Sequence, residues 1–506
     1  MKNTMTKLLA LALVFALCFS FVGCSLLGQP DSGNTGDTGN NGGDNGGNNG
    51  GNNDVVDEPD DLAGITEDTI WVGNTAGTTG ALAAIGGPFN IGMQAAFEAY
   101  NKAGGYNGKS IKLKHYDDGG VATNSVSLLD KLIFEDEVFA VVGQFGSYSV
   151  DSAVETLKDE CVPMIYAAAG NNSLYNAGAT TLGDKGIFPV QPLNVTEGRM
   201  LILRAFAPAD KGGLAATKVG VISNSNEASQ ALLSGIKAEA QQSNLTNIVY
   251  QDVASADYSA AVNALKAEGC DVVILTVIGT DFLTALTTMA DALYVCSVLT
   301  SYNNSSSSVF NDDNTVMLPA YEKIFSTMAV YYQAWVDITD TTYVYKDANS
   351  ALYNVYKSFF LVYDANGNEV GVAGFTEEYW QVANDIYNYA TTVSPATAFA
   401  MSYDAYALAG YIAGNLFCQA MEALEQSGKA LSRANLVEVM EANDFDLSLV
   451  QTISYANGLR AGVEAFSLNV FYDVKAFDET KNHSVAGASV YTLTSIEEYR
   501  ALLAGK

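Results

Sequence analysis

Short β-branched runs alternate with amphipathic stretches of helical length from residue 69 to residue 300, and this alternation restricts the chain more than any other feature. Strands spaced by helices cannot pair as tight hairpins, so the pattern predicts parallel sheets covered by helices. The first series has strands at 69–75, 110–116, 138–142 and 163–167, with helices through Tyr100, over 128–136 and over 147–158. Pro88 is placed in the first turn of the first helix, where its missing N–H is no loss. The second series has strands at 218–222, 248–253, 271–277 and 295–300, with helices through Ala238 and from Tyr258. Helices over 402–426 and 432–443, short strands and a helix over 495–504 complete the chain. Two such series predict an α/β protein of two doubly wound, Rossmann-like lobes joined by a hinge, with a ligand cleft between their strand-end loops.

Charge narrows the partners. Lys plus Arg total 25 against 56 Asp plus Glu, a net charge of −31, so nucleic acid and anionic membrane surfaces would be repelled. The two histidines, His115 and His483, stand alone, and no metal site or cofactor motif is expected. Behind Lys2 and Lys7 an apolar run from Leu8 to Val22 ends at Gly23 and Cys24, the pattern of an export signal and too short to span a bilayer. Residues 25–62 are rich in Gly, Asn and Asp and read as a disordered tether with a reach of roughly 35 Å. Beyond the leader lie Cys161, Cys270, Cys296 and Cys418. Spacing does not pair them; buried thiols are the expected state, and a Cys270–Cys296 bridge is the alternative, because each opens a strand of one lobe.

The expected division is a signal peptide at 1–23 and an acylated cysteine with its linker at 24–62. Lobe 1 is expected at 63–190 and 331–445, and lobe 2 at 191–330 and 446–506. Residues 337–375 read as a surface insertion, with Asp364, Ala365, Asn366 and Gly367 as its hairpin turn. Glycine falls at the wrong place there for a calcium loop.

Several motifs in order resemble the type I periplasmic binding proteins of the branched-chain amino acid family, solute receptors of ABC importers. They are the loop from Gly77 to Gly86, the helix end and turn from Tyr100 to Lys109, and Asp117-Asp118. Val141-Val142-Gly143 with Gly146-Ser147-Tyr148-Ser149, and Val162-Pro163-Met164-Ile165, follow. Tyr258-Ser259-Ala260-Ala261 and Ser402-Tyr403-Asp404-Ala405 extend the likeness into the later part of the chain. Phe21-Val22-Gly23-Cys24 is similar to a lipobox, which implies acylation of Cys24 and a lipid anchor on the outer face of the bacterial cell membrane.

The resemblance implies a carboxylate-binding serine at Ser147, where the amino end of a helix supplies amide donors. It implies further ligand contacts at Ile85, Tyr148, Ala168, Ala169 and Gly170 in the first lobe. Ile278, Asn303 and Asn304 are their counterparts in the second, with Glu227 or Asp281 as the candidate for the charge that an ammonium needs. The family loop of small residues and a threonine corresponds to Ala168, Ala169 and Gly170, so the threonine hydroxyl is missing, and the aromatic and acidic residues usual in the second lobe are absent at the matching positions. The reading is therefore capture of an amino acid or similar small polar solute by lobe closure, delivered as a monomer to ABC permease subunits. A sensor lipoprotein signalling to a membrane receptor, or a binding protein for an amide or small carboxylate, is the alternative. No nucleophile elbow, phosphate loop or histidine-bearing triad suggests an enzyme.

Overall fold

The computed structural model describes residues 62–304, 324, 327–336, 338, 340, 342–471 and 488–505. The leader, Cys24 and the tether lie outside them. In the first lobe β1 (Thr69–Ala76), α1 (Ala83–Ala103), β2 (Ser110–Asp117), α2 (Ala122–Phe134), β3 (Ala140–Val142), α3 (Ser147–Asp159), β4 (Met164–Ala167) and β5 (Ile187–Pro189) follow one another. Their strands form a parallel sheet in the order β2-β1-β3-β4-β5. The second lobe opens with α4 (Asn194–Phe206), β6 (Val219–Asn224), α5 (Glu227–Gln242), β7 (Ile248–Val253) and α6 (Ser259–Glu268). It continues with β8 (Val272–Leu275), α7 (Thr280–Asp291), β9 (Ser297–Thr300) and β10 (Val330–Ala334). The order β7-β6-β8-β9-β10 repeats that of the first lobe, and all these pairs are parallel. Each lobe is thus one doubly wound unit whose strand order reverses beside its first strand.

The chain then builds β11 (Val344–Tyr345), α8 (Ala351–Phe360), β12 (Leu361–Tyr363), β13 (Glu369–Ala373), α9 (Glu377–Val393), α10 (Ala405–Ser427), α11 (Arg433–Ala442), β14 (Asp444–Asp446) and β15 (Thr452–Ser454). It ends with β16 (Ala465–Val470), β17 (Ala488–Ser495) and α12 (Ile496–Ala504); β16 extends the second sheet antiparallel to β10, and β17 pairs antiparallel with β16.

Three expectations are corrected. The first helix begins at Ala83, so Pro88 lies inside it and removes one helical hydrogen bond. Residues 331–334, expected to lead back into the first lobe, belong to a strand of the second sheet, because β9 and β16 satisfy both of its edges. The stretch from 446 to 460, assigned to the second lobe, packs on the first. Tyr455 donates its hydroxyl to the Pro189 carbonyl (3.0 Å), and the buried Arg460 guanidinium lies 4.6 Å from the centre of the Phe188 ring while donating to the Tyr455 and Leu459 carbonyls.

The lobes are joined by three crossings: after β5, after β10 and before β16. They run side by side, since the Val463 amide donates to the Val190 carbonyl (2.8 Å), Thr196 Oγ1 to Ala461 (3.1 Å) and Ser467 Oγ to Ala334 (3.3 Å).

Helix pairs close each lobe at backbone distance. A Cβ on Gly92 of α1 would stand 1.8 Å from the Ala407 carbonyl oxygen of α10, and one on Gly410 of α10 would stand 1.8 Å from that of Phe89. The second lobe repeats the device: a Cβ on Gly198 of α4 would reach the Leu232 oxygen at 2.1 Å, and one on Gly235 of α5 the Val195 oxygen at 2.0 Å.

The insertion is more than surface decoration. Asp364 turns the β12–β13 hairpin by accepting from the Asn366 and Asn368 amides, with Gly367 at φ 81°. Under the three-stranded sheet, Tyr345 stacks on Trp380 at 4.6 Å, and the hydroxyls of buried Tyr356 and Tyr379 share a 2.6 Å hydrogen bond. This aromatic cluster makes a small core between the insertion and α9.

Candidate functional site

Loops at the carboxyl ends of parallel strands carry binding groups in doubly wound sheets, above all where the strand order reverses. In the first lobe that point lies between β1 and β3, and α3 begins there. Gly146, at φ 92°, turns the chain into the helix. The first helical bonds run from the Ser149 and Val150 amides to the Gly146 carbonyl, which leaves the Ser147 and Tyr148 amides at the positive end of the helix dipole. The half-buried Ser147 hydroxyl bonds to no other described residue.

Behind this helix start Thr75, Ser125, Gln144 and Ser149, all buried, bond to one another; Gln144 accepts from the Thr75 amide (3.0 Å) and donates to its hydroxyl (2.9 Å). Such a cluster fixes the loop without using Ser147. Tyr148 is placed differently from Ser147: its hydroxyl donates to Asp118 Oδ1 (2.8 Å), so the ring is turned toward the β2 loop. Asp117 holds the Gly77 loop by accepting from the Thr78 and Thr79 amides and the Thr79 hydroxyl, and the hydroxyl bond first, then the amides, bring its carboxyl down to about 2. Ile85, half-buried near the start of α1, packs against the main core.

The small-residue loop after β4 is tied to Ser147. Phe145 and Ala168 form a parallel bridge, with the Gly146 amide donating to Ala168 (3.2 Å) and the Ala168 amide to Gln144 (2.9 Å). Ala168 and Ala169 are buried, and Gly170 is half-buried. Ser147, Ala168, Ala169 and Gly170 therefore stand together. Gly170 is also where the lobes meet: a Cβ there would lie 2.9 Å from the Tyr302 hydroxyl, which donates to the Pro192 carbonyl (3.0 Å).

In the second lobe the half-buried Asn303 donates to Asn194 Oδ1 (3.4 Å) and Ser301 Oγ (3.0 Å). Its neighbour Asn304 is wholly committed: Nδ2 donates to the Val277 carbonyl and Thr300 Oγ1, and Oδ1 accepts from the Gly279 amide. Asn304 thus locks the β8 loop, with Ile278 half-buried in it, to the β9 loop, and is itself fully buried. Glu227 is exposed in the first turn of α5, at the second reversal point between β6 and β8. Asp281, in the first turn of α7, accepts from Asn224 Nδ2 (2.8 Å).

Two residues at this junction carry no sequence signature. Tyr302 sits among polar residues that read as a turn. Glu197, in the first turn of α4, is fully buried and accepts from Ser301 Oγ and the Tyr302 amide, both at 2.7 Å. Burial pushes its carboxyl up to about 7, against the opposing pull of those donors.

Among the described residues no cluster of His, Cys, Asp and Glu could hold a metal ion, and no helix is long and apolar enough to cross a membrane.

Two doubly wound lobes of equal strand order, joined by three crossings and facing each other through their strand-end loops, define the fold of the type I periplasmic binding proteins. Residues 69–358 match the periplasmic binding protein family, and the chain belongs to it. It is similar to an amino acid binding protein of Pseudomonas aeruginosa, 28% identical over 201 residues that cover 38% of this chain and 50% of the relative. It is also similar to Leu/Ile/Val-binding protein homolog 3 of Brucella melitensis, 27% identical over 206 residues, 40% of this chain and 53% of the relative. The chain spans about half the length of these relatives. In structure it resembles a fatty acid ABC transporter substrate-binding protein from Thermomonospora curvata, with TM-score 0.56, 16% identity, and coverage of 87% of this chain and 95% of that one. A periplasmic binding protein type 1 from Bordetella pertussis aligns with TM-score 0.52 at 14% identity, over 81% and 98% of the two chains. At these identities the structural likeness speaks for the fold alone.

Proposed function

We propose that the protein is an extracytoplasmic solute-binding lipoprotein of an ABC importer, anchored through Cys24, which captures an amino acid or similar small polar solute by closing its lobes. The carrying observation is the union, at one reversal point, of the Ser147 helix start with the Ala168–Gly170 loop that touches the second lobe through Tyr302. The solute carboxylate is assigned to the Ser147 hydroxyl and the amides beside it, where the dipole favours negative charge. Ile85, Ala168, Ala169 and Gly170 shape the first-lobe wall. Ile278 and Asn303 face them from the second, and Glu227 or Asp281 supplies the negative charge that an ammonium needs once water is excluded. The names of the sequence relatives, amino acid and Leu/Ile/Val binding, support this solute class.

The protein acts as a monomer without cofactor or catalysis, and ABC permease subunits read the closed shape. Closure follows from differential affinity: a solute touching both lobes stabilises the state in which both touch it.

The test is a thermal-shift screen of the protein against the twenty amino acids, their amides and short carboxylates, because a tight ligand raises the midpoint by mass action. At least one amino acid is expected to raise it by several degrees. Ser147→Ala should then weaken that ligand by about 10–100-fold in calorimetry, the worth of a hydrogen bond to a charged group, with the unliganded midpoint unchanged. A midpoint unmoved by every amino acid but raised by an amide or short carboxylate would shift the reading to that solute class. Unchanged affinity in Ser147→Ala would remove Ser147 from the site.

A further inference from the structure

Cys270 and Cys296 occupy equivalent places in consecutive β–α units, each where a helix gives way to the next strand. Gly269, at φ 71°, stops α6, and Cys270 follows with its amide on the Leu265 carbonyl (3.2 Å). Cys296 stands immediately before β9. Strands β8 and β9 are parallel with Val272 opposite Ser297, and the Ser297 amide donates to the Asp271 carbonyl (3.3 Å), so Cys296 is level with Asp271, one residue from Cys270. One step across a ladder and one along it give a Cα separation of about 6 Å, inside the range that a disulfide spans. Both residues are free thiols in this structure and pack into the same apolar cluster, Cys270 buried and Cys296 half-buried. Tyr294 links them: its hydroxyl donates to the Cys270 carbonyl (2.7 Å) and lies against the Cys296 sulfur.

We propose that Cys270 and Cys296 form an intramolecular disulfide when the chain is exported into an oxidising compartment. The co-reactant is a disulfide of the glutathione or thiol-oxidoreductase class. The Cys296 thiolate attacks one sulfur of that disulfide and expels a thiolate; the Cys270 thiolate then attacks the Cys296 sulfur and expels the second. Two cysteine thiols lose two protons and two electrons, and the oxidant leaves as two thiols. The exchange takes place while the strands are still pairing, because in the folded lobe burial pushes the Cys296 thiol up to about 12 and little thiolate remains. The bridge ties the amino ends of β8 and β9, at the end of the sheet opposite the loops holding Ile278 and Asn303. It is independent of the solute reading.

No Lys or Arg lies between Lys266 and Lys323, so trypsin releases both cysteines on one peptide. The experiment is a peptide map of the full exported chain, purified without reductant and unfolded in N-ethylmaleimide. The expected peptide is lighter by two hydrogens, carries no maleimide, and takes up two only after reduction. Two maleimides without reduction overturn the proposal. A glutathione adduct on Cys296 beside an alkylated Cys270 overturns it as well.

Discussion

Glutamine in place of Glu197 is expected to raise stability at pH 8 by about 3 kcal/mol and to remove a pH dependence that the native chain shows between about pH 4.5 and 8. Glu197 is fully buried in α4, its partners are a hydroxyl and an amide, and its carboxyl is raised from 4.5 to about 7. Between these values the folded chain keeps a proton that the unfolded chain has released. Stability is therefore complete below the unfolded value and is lost as pH rises through about 7. Glutamine keeps the acceptor for the Tyr302 amide and is neutral like the protonated acid, which it mimics at every pH. Urea unfolding of both proteins from pH 5 to pH 8 measures the effect; parallel curves would show that Glu197 does not titrate in this range.

Valine at Gly410 should prevent the first lobe from folding, with a loss above about 4 kcal/mol. The added Cβ would meet the Phe89 carbonyl oxygen at 1.8 Å, and neither helix backbone can retreat, because Gly92 makes the reciprocal contact one turn away. Alanine at Gly87 is the control, in the same α1, where a Cβ would meet nothing within 4 Å. It is expected to stay within about 1 kcal/mol of the native chain, because the helix preference of alanine over glycine is offset by contact of its Cβ with the ring of Pro88 that follows. Thermal melts by circular dichroism separate the two; equal melts would mean that the α1–α10 contact is looser than its geometry.

The order of strands and helices was legible because local periodicity reports which face of each element is buried. The Asp364 hairpin was legible for a similar reason, since its turn chemistry is local. What failed was non-local. Residues 331–334 have the same composition whichever lobe they join, and only pairing with β9 and β16 decides it. The stretch from 446 to 460 is held to the first lobe by Tyr455 and Arg460, whose partners lie hundreds of positions away in the chain.

The same distinction runs through the site. That the chain loops at Ser147 and from Ala168 to Gly170 could be read because glycine and small residues stand between a strand and a helix, whereas which of these residues meet a solute is implied by the family resemblance alone. That Asn304 is buried with its amide fixed to the β8 loop while Asn303 stays half-buried depends on which loops touch. Glu197 looked like any acidic residue in the first turn of a helix, and nothing in the sequence separates a solvated one from one sealed beneath Ser301 and Tyr302.

Three connecting strands laid side by side have a mechanical corollary. A lone tether would let the halves swivel freely, but here sliding or twisting shears the bond between Val463 and Val190 and the contacts of Thr196 and Ser467 next to it. One soft direction of travel remains, a swing about the line through the three connections. The shape of the whole molecule is therefore a one-parameter set of outlines, described by a single angle between its halves.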